Sequence, residues 1–221
     1  LLDYYDYDFI SVDGQHSPTN EDYLLRICEA SHELGKPIHY RMDHRRNAYM
    51  IGNLLDHGPT IIEVPQSEEL HLVREARDYF YYRPEGVRSW GGPGRPPEGL
   101  DEVNQHTYPA WWNKTGVLMI QVETLNAINN IPDFSMDGVD CFSWGPADLS
   151  IDRAAHPEHP FAKTDDTAIE HAVKLSKENG KQLCIRSYDR TLRNRYFDMG
   201  ATILMEVQSL DGQLDKNLPF G

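Results

Sequence analysis

"GVDCFSWGPADLS", residues 138–150, is the stretch from which the fold can be read. Residues 139–144, Val-Asp-Cys-Phe-Ser-Trp, form a short strand-like run closed by Gly145-Pro146. A proline in that place is preset for the first turn of a helix, and Asp148 then falls within that turn. A strand that is apolar along most of its length is covered on both faces, which is the habit of parallel sheets packed against helices. An acidic side chain at the mouth of such a strand is either a helix-capping group or a functional one. Its company elsewhere in the chain has to separate the two.

Further strand-like runs lie at residues 8–12, 37–41, 60–64, 117–122, 182–187 and 201–207. Between them come amphipathic stretches at 21–34, 48–57, 68–80, 168–179 and 191–199. Gly35-Lys36-Pro37, Gly58-Pro59, Gly180-Lys181 and Gly200 each stop a helix just before a strand, glycine being the residue that a left-handed C-cap favours. Strand and helix in alternation mean a parallel sheet covered by helices. A doubly wound sheet would carry a glycine-rich phosphate loop after its first strand, and no GxGxxG or Walker loop is present. The expected fold is an α/β (β/α)8 TIM barrel, one domain over residues 1–221, with the first of its eight strands absent from the given chain. The intervals 81–113 and 151–166, rich in Pro, Gly, His and Trp, are expected to be ordered loops.

Composition removes several classes of function. The 221 residues carry 21 Lys+Arg against 35 Asp+Glu, a formal charge of −14, which argues against a nucleic-acid or anionic-membrane surface. An anionic substrate would need a local device such as a metal, an arginine or a helix N-terminus. Cys28, Cys141 and Cys184 sit in helix- or strand-like runs without CxxC spacing, so buried free thiols in a reducing cytoplasm are expected. No apolar run reaches membrane-spanning length and no signal peptide is evident.

In a barrel of this kind the chemistry sits at the C-terminal ends of the strands. Those ends read Asp13-Gly14-Gln15-His16, Arg41, Glu63-Val64-Pro65-Gln66, Gln121-Val122-Glu123-Thr124 and Gly145-Pro146-Ala147-Asp148. Two carboxylates on adjacent strands, Glu123 and Asp148, repel each other unless a cation lies between them. All-oxygen ligation with positions left for water and substrate fits Mg²⁺ or Mn²⁺ better than zinc. Lysine gives a negative result. An imine-forming lysine belongs within a strand or at its C-terminal end, but Lys36, Lys114 and Lys181 precede their strands, and Lys163, Lys174, Lys177 and Lys216 fall in helix or loop stretches. His16 stands in a turn before Ser17-Pro18; His39 and His44 form a spaced pair around Arg41; His156 and His159 read as loop surface.

Three stretches, "DFISVDGQHSP" (8–18), "MIQVET" (119–124) and "GVDCFSWGPADLS", resemble the HpcH/HpaI aldolase family of the pyruvate/phosphoenolpyruvate barrel superfamily. "IIEVP" (61–65) and "RPEGVRSWGG" (83–92) add softer support, and the resemblance runs over residues 7 to about 214. Gln15 departs from the family, which has a glutamate there. The resemblance implies a class II, divalent-metal-dependent (Mg²⁺, Mn²⁺ or Co²⁺) aldolase that cleaves a 4-hydroxy-2-oxo acid to pyruvate and an aldehyde. It implies metal ligation by Glu123 and Asp148, and substrate binding by Arg41, Gln121 and the backbone of Ala147 and Asp148. It implies catalysis by His16 with Asp56 of "LLDHG" as its partner, together with Arg41. It also implies a homo-oligomer, a trimer or a hexamer built as a dimer of trimers. Trp90, Trp111 and Trp112, exposed-looking aromatics in the long loop region, are expected near a subunit contact. The competing expectations are an acyl-CoA lyase of the citrate-lyase type, which needs a basic groove, and a non-catalytic binding or assembly barrel.

Overall fold

The computed structural model describes residues 7–206. Val207, the last residue of the seventh expected strand, and the tail "LDKNLPFG" (214–221) lie outside the described residues. The chain runs through β1 (Ile10–Asp13), α1 (Glu21–Glu33) and β2 (Ile38–Arg41), then a 3₁₀ segment (Arg45–Met50) leading into α2 (Ile51–Asp56). It continues through β3 (Ile61–Val64), α3 (Leu70–Phe80), α4 (Tyr108–Thr115), β4 (Val117–Val122), α5 (Leu125–Asn129) and α6 (Ile131–Phe134). Last come β5 (Cys141–Trp144), α7 (Pro146–Ala155), α8 (Asp165–Glu178), β6 (Gln182–Ser187), α9 (Arg193–Met199) and β7 (Ile203–Glu206). Local chemistry marks several helix starts: the side chains of Asn20, Thr124 and Thr164 accept from the backbone N–H three residues on, satisfying a donor that the first turn leaves free.

The seven strands pair in sequence order, all parallel. A flat sheet would hold β3 and β6 about 14 Å apart, three strand spacings. Yet Arg186 of β6 donates to Glu63 of β3 at 2.8 Å, so the sheet is curled into a barrel wall with a shared interior. Strand alternation sorts the side chains. Ile62 and Val64 face the helices as part of the large core, while Ile61, Met119, Cys141, Cys184 and Met205 pack together inside the barrel. Above that apolar plug lies a polar layer. Ser11 Oγ meets His39 Nδ1 at 2.9 Å, His39 Nε2 lies 3.1 Å from Glu63 Oε2, and Ser143 donates to the other Glu63 oxygen. Glu63 is 0% exposed. Burial alone would raise its pKa, but the charge of Arg186 and the bonds from His39 and Ser143 hold it down at about 2.

All seven expected strands are present, and two keep their expected bounds. The helices diverge more. The expected loop at 81–113 contains the start of α4, whose Tyr108 and Trp112 are buried in the core. Trp112 is therefore a packing residue and not an exposed one, with its indole N–H donating to the Phe80 carbonyl at 3.0 Å. Helix α7 runs to Ala155, into the expected loop at 151–166. Helices α5 and α6 are too short to show a helical period, and Pro132 in the first turn of α6 looks like a loop signal in sequence.

Candidate active site at the barrel mouth

The end of β1 is tied to the end of β2, because Asp13 and Arg41 are register partners. Arg41 donates from Nε to Asp13 Oδ1 at 2.9 Å and from Nη2 to Oδ2 at 2.5 Å, a bidentate pair. Burial would raise the Asp13 carboxyl, but the Arg41 contact wins and holds it below the usual carboxylate range. Arg41 itself moves up despite burial, under the charges of Asp13, Glu63 and Glu123. The backbone N–H groups of Gln15 and His16 also donate to Asp13 Oδ1, at 3.0 and 3.4 Å. One carboxylate thus sets both the arginine and the turn that carries His16, whose side chain is exposed. Sequence reading gave Asp13 no role. The available signal was the parallel register of two strands that both end in a charge.

Glu123 follows β4 and Gly145 follows β5, and the two strand ends touch. A side chain at Gly145 would have its Cβ 2.5 Å from Glu123 Oε2 and 3.0 Å from Gln121 Nε2. The bare backbone there lets the carboxylate approach the N-terminus of α7, whose first turn holds Ala147 and Asp148. Glu123 is 3% exposed and lies deeper than a rim residue, whereas Asp148 is exposed. Glu123 Oε1 and Gln121 Oε1 are buried without a hydrogen-bond partner. Burial first, and then the charge of Asp148, push the Glu123 carboxyl up to about 7, against the pull of Arg41 and the Gln66 backbone. Gln66, in the loop after β3, has φ 47°, alone in positive φ among the described non-glycine residues. Such a backbone is uncommon for a side-chain-bearing residue, and sequence gave no sign of it.

An orphaned, buried carboxylate oxygen electrostatically coupled to a second carboxylate fits a divalent cation. No group of three or more His, Cys, Asp and Glu able to hold a metal occurs among the described residues. The protein would supply Glu123 and Asp148, with the other positions left to water and substrate.

The structure does not bring every expected residue to this mouth. Helix α2 returns from the end of β2 to the start of β3, so Asp56, its last residue, lies at the opposite end of the barrel from His16. There Arg88 Nη2 donates to Asp56 Oδ1 at 2.7 Å, and Gly91 packs against the same carboxylate. None of the described hydrogen bonds joins His16 to Asp56 within one chain. His39 belongs to the polar layer and His44 caps the backbone N–H of Arg46, so they do not form a ligand pair. Cys28, Cys141 and Cys184 are free and buried, as expected. Burial raises all three thiols, Cys28 to about 12. No helix among the described residues is long and apolar enough to cross a membrane.

Comparison with known proteins gives the family and the fold. A 4-hydroxy-2-oxo-heptane-1,7-dioate aldolase from Escherichia coli is 30% identical over 198 residues, covering 88% of this chain and 73% of that protein. The protein of the same name from Klebsiella pneumoniae subsp. pneumoniae is 29% identical over 198 residues, covering 88% of this chain and 72% of its own length. Among solved structures, an HpcH/HpaI aldolase from Desulfitobacterium hafniense DCB-2 superposes with a TM-score of 0.78 at 22% identity, covering 92% of this chain and 78% of that one. Macrophomate synthase gives a TM-score of 0.74 at 22% identity, covering 90% and 70%. Both share the barrel fold. The family model described as HpcH/HpaI aldolase/citrate lyase matches residues 2–204. With that match and the signature residues gathered at one barrel mouth, the chain belongs to the HpcH/HpaI aldolase/citrate lyase family.

Proposed function

We propose that this protein is a divalent-metal-dependent carbon–carbon lyase that cleaves a 4-hydroxy-2-oxo acid to pyruvate and an aldehyde. The observation that carries the reading is the buried Glu123 carboxylate, its Oε1 unpartnered and its Oε2 against Gly145 at the start of α7, with Asp148 in the first turn of that helix. A bound Mg²⁺, Mn²⁺ or Co²⁺ would act there as a Lewis acid toward the substrate's 2-oxo group.

The chain's own groups supply the rest. The Asp13 carboxylate occupies Nε and Nη2 of Arg41, which leaves Nη1 to point a fixed positive donor at the oxygen where charge develops. Gln121 offers its amide beside it. The backbone N–H groups of Ala147 and Asp148, at the start of α7, receive the substrate carboxylate. His16 takes the proton from the 4-hydroxyl as the C3–C4 bond breaks, and the bond's electron pair stays with the pyruvyl fragment.

Asp56 enters this scheme only through assembly. The resemblance implies both a His16–Asp56 pair and a homo-oligomer, while one chain holds the two residues at opposite ends of its barrel. Both implications hold together if Asp56 of one subunit meets His16 of the next. Three buried free thiols fit a reducing cytoplasm.

The test is retro-aldol screening of 4-hydroxy-2-oxo acids with Mg²⁺, Mn²⁺ and Co²⁺ in turn, alongside deuterium exchange at the methyl group of pyruvate. Metal-dependent exchange and cleavage are expected. Metal binding without either would leave a binding-only barrel.

A further inference from the structure

Away from the mouth, between the end of α3, the segment that follows it and α4, lies a cavity of about 480 Å³. Its size suits a small organic ligand. In a chain of net charge −14 its walls are cationic: Arg83 and Lys114 line the opening and Arg88 lies behind them. The one acidic residue on the wall, Glu85, is already engaged by the Asn113 amide at 2.6 Å. Arg83 and Lys114 have no hydrogen-bond or ion-pair partner among the described residues, whereas Arg41, Arg77, Arg88, Arg153, Arg186 and Arg193 are all paired with carboxylates.

The interior adds unused donors and flat apolar surface. The Arg88 side chain is 0% exposed, and its guanidinium carbon sits 4.6 Å from the centre of the Tyr82 ring and 4.7 Å from that of Trp112. Nη2 is spent on Asp56, but Nε and Nη1 are buried without a partner, as is the Tyr82 hydroxyl. Buried donors left unmatched are costly. Tyr82 and Trp90, with ring centres 6.0 Å apart, line the cavity together with Pro109 and Ala110.

We infer that this cavity is a second binding site, separate from the barrel mouth, for a small organic carboxylate with a flat apolar body. The ring packs against Trp90 and Tyr82. The carboxylate is held by the unpaired Arg83 and Lys114 side chains at the opening.

The probe is benzoate, titrated into the full chain by calorimetry and tryptophan fluorescence, with benzyl alcohol and inorganic phosphate as comparisons. Saturable benzoate binding is expected, weakened about tenfold or more in the Arg83→Glu/Lys114→Glu double variant, the equivalent of losing one charge-assisted hydrogen bond. Both side chains are exposed, so the variant should melt at the parent temperature, and benzyl alcohol should not bind. Equal benzoate affinity in parent and variant would place the ligand elsewhere and overturn the inference. Absence of benzoate binding at millimolar concentration, or binding of phosphate alone, would overturn it as well. None of these readouts depends on aldolase activity.

Discussion

Arg186 and Glu63 lie three strands apart in the sheet, yet they are 2.8 Å apart across the barrel interior. The pair, with Ser11, His39 and Ser143 around it, forms a polar floor beneath the mouth where Asp13, Arg41, Gln121 and Glu123 converge. A buried carboxylate in such a place is stable only while its partners remain.

Arg186→Met should therefore destabilise the fold by about 3–5 kcal/mol, because it leaves a buried charge without its cation. Adding Glu63→Gln should recover much of that loss. Denaturant melts of the two variants check this, and an unaffected single variant would show that the layer is solvated.

The same carboxylate gives a pH dependence. Its folded pKa, about 2, lies below its ordinary 4.5. The folded state therefore binds that proton less readily than the unfolded chain does. The stability it contributes is fully present above pH 4.5 and is lost as pH falls toward 2. An acid titration followed by circular dichroism should show this loss, reduced in Glu63→Gln.

At the mouth, Glu123→Gln and Asp148→Asn should each abolish metal-dependent cleavage while the protein stays folded. Gly145→Ala should damage the same function by steric means, since its methyl carbon would sit 2.5 Å from Glu123 Oε2. Calorimetric Mn²⁺ titration of the three variants is the measurement. Near-normal Mn²⁺ affinity in Glu123→Gln would remove that residue from the ligand set.

His16→Ala should lower turnover by about 10²–10⁴-fold, the range for loss of a general base. Pyruvate affinity should stay close to the parent, because the proposed site holds the substrate through Arg41 and the start of α7. Lost affinity with unchanged turnover would reverse the assignment.

Mixing tests whether Asp56 serves a neighbour. His16→Ala and Asp56→Asn should each be weakly active alone. Unfolded and refolded together in equal amounts, they should regain about a quarter of parental activity, since each closed-ring interface takes its two residues from different chains. No recovery, or a monomer by light scattering, would dismiss the shared pair.

Much of this protein was legible in its sequence because the signals are local. Seven β-prone runs and glycine stops define the alternation, and parallel pairing then places the end of every strand at one mouth. That is why Arg41, Gln121, Glu123 and Asp148 could be gathered from residue types alone. Short helices such as α5 and α6 escaped because one turn of chain carries no period, and Trp112 looked exposed because burial is a property of what packs against a side chain. Only the tertiary structure paired Asp13 with Arg41, closed Glu63 against Arg186 across the barrel, and set Asp56 against Arg88 at the far end from His16. Sequence determines which groups sit at each strand end. Which of them meet depends on curl, register and the direction of each return helix, and those are settled only when the sheet closes around a core.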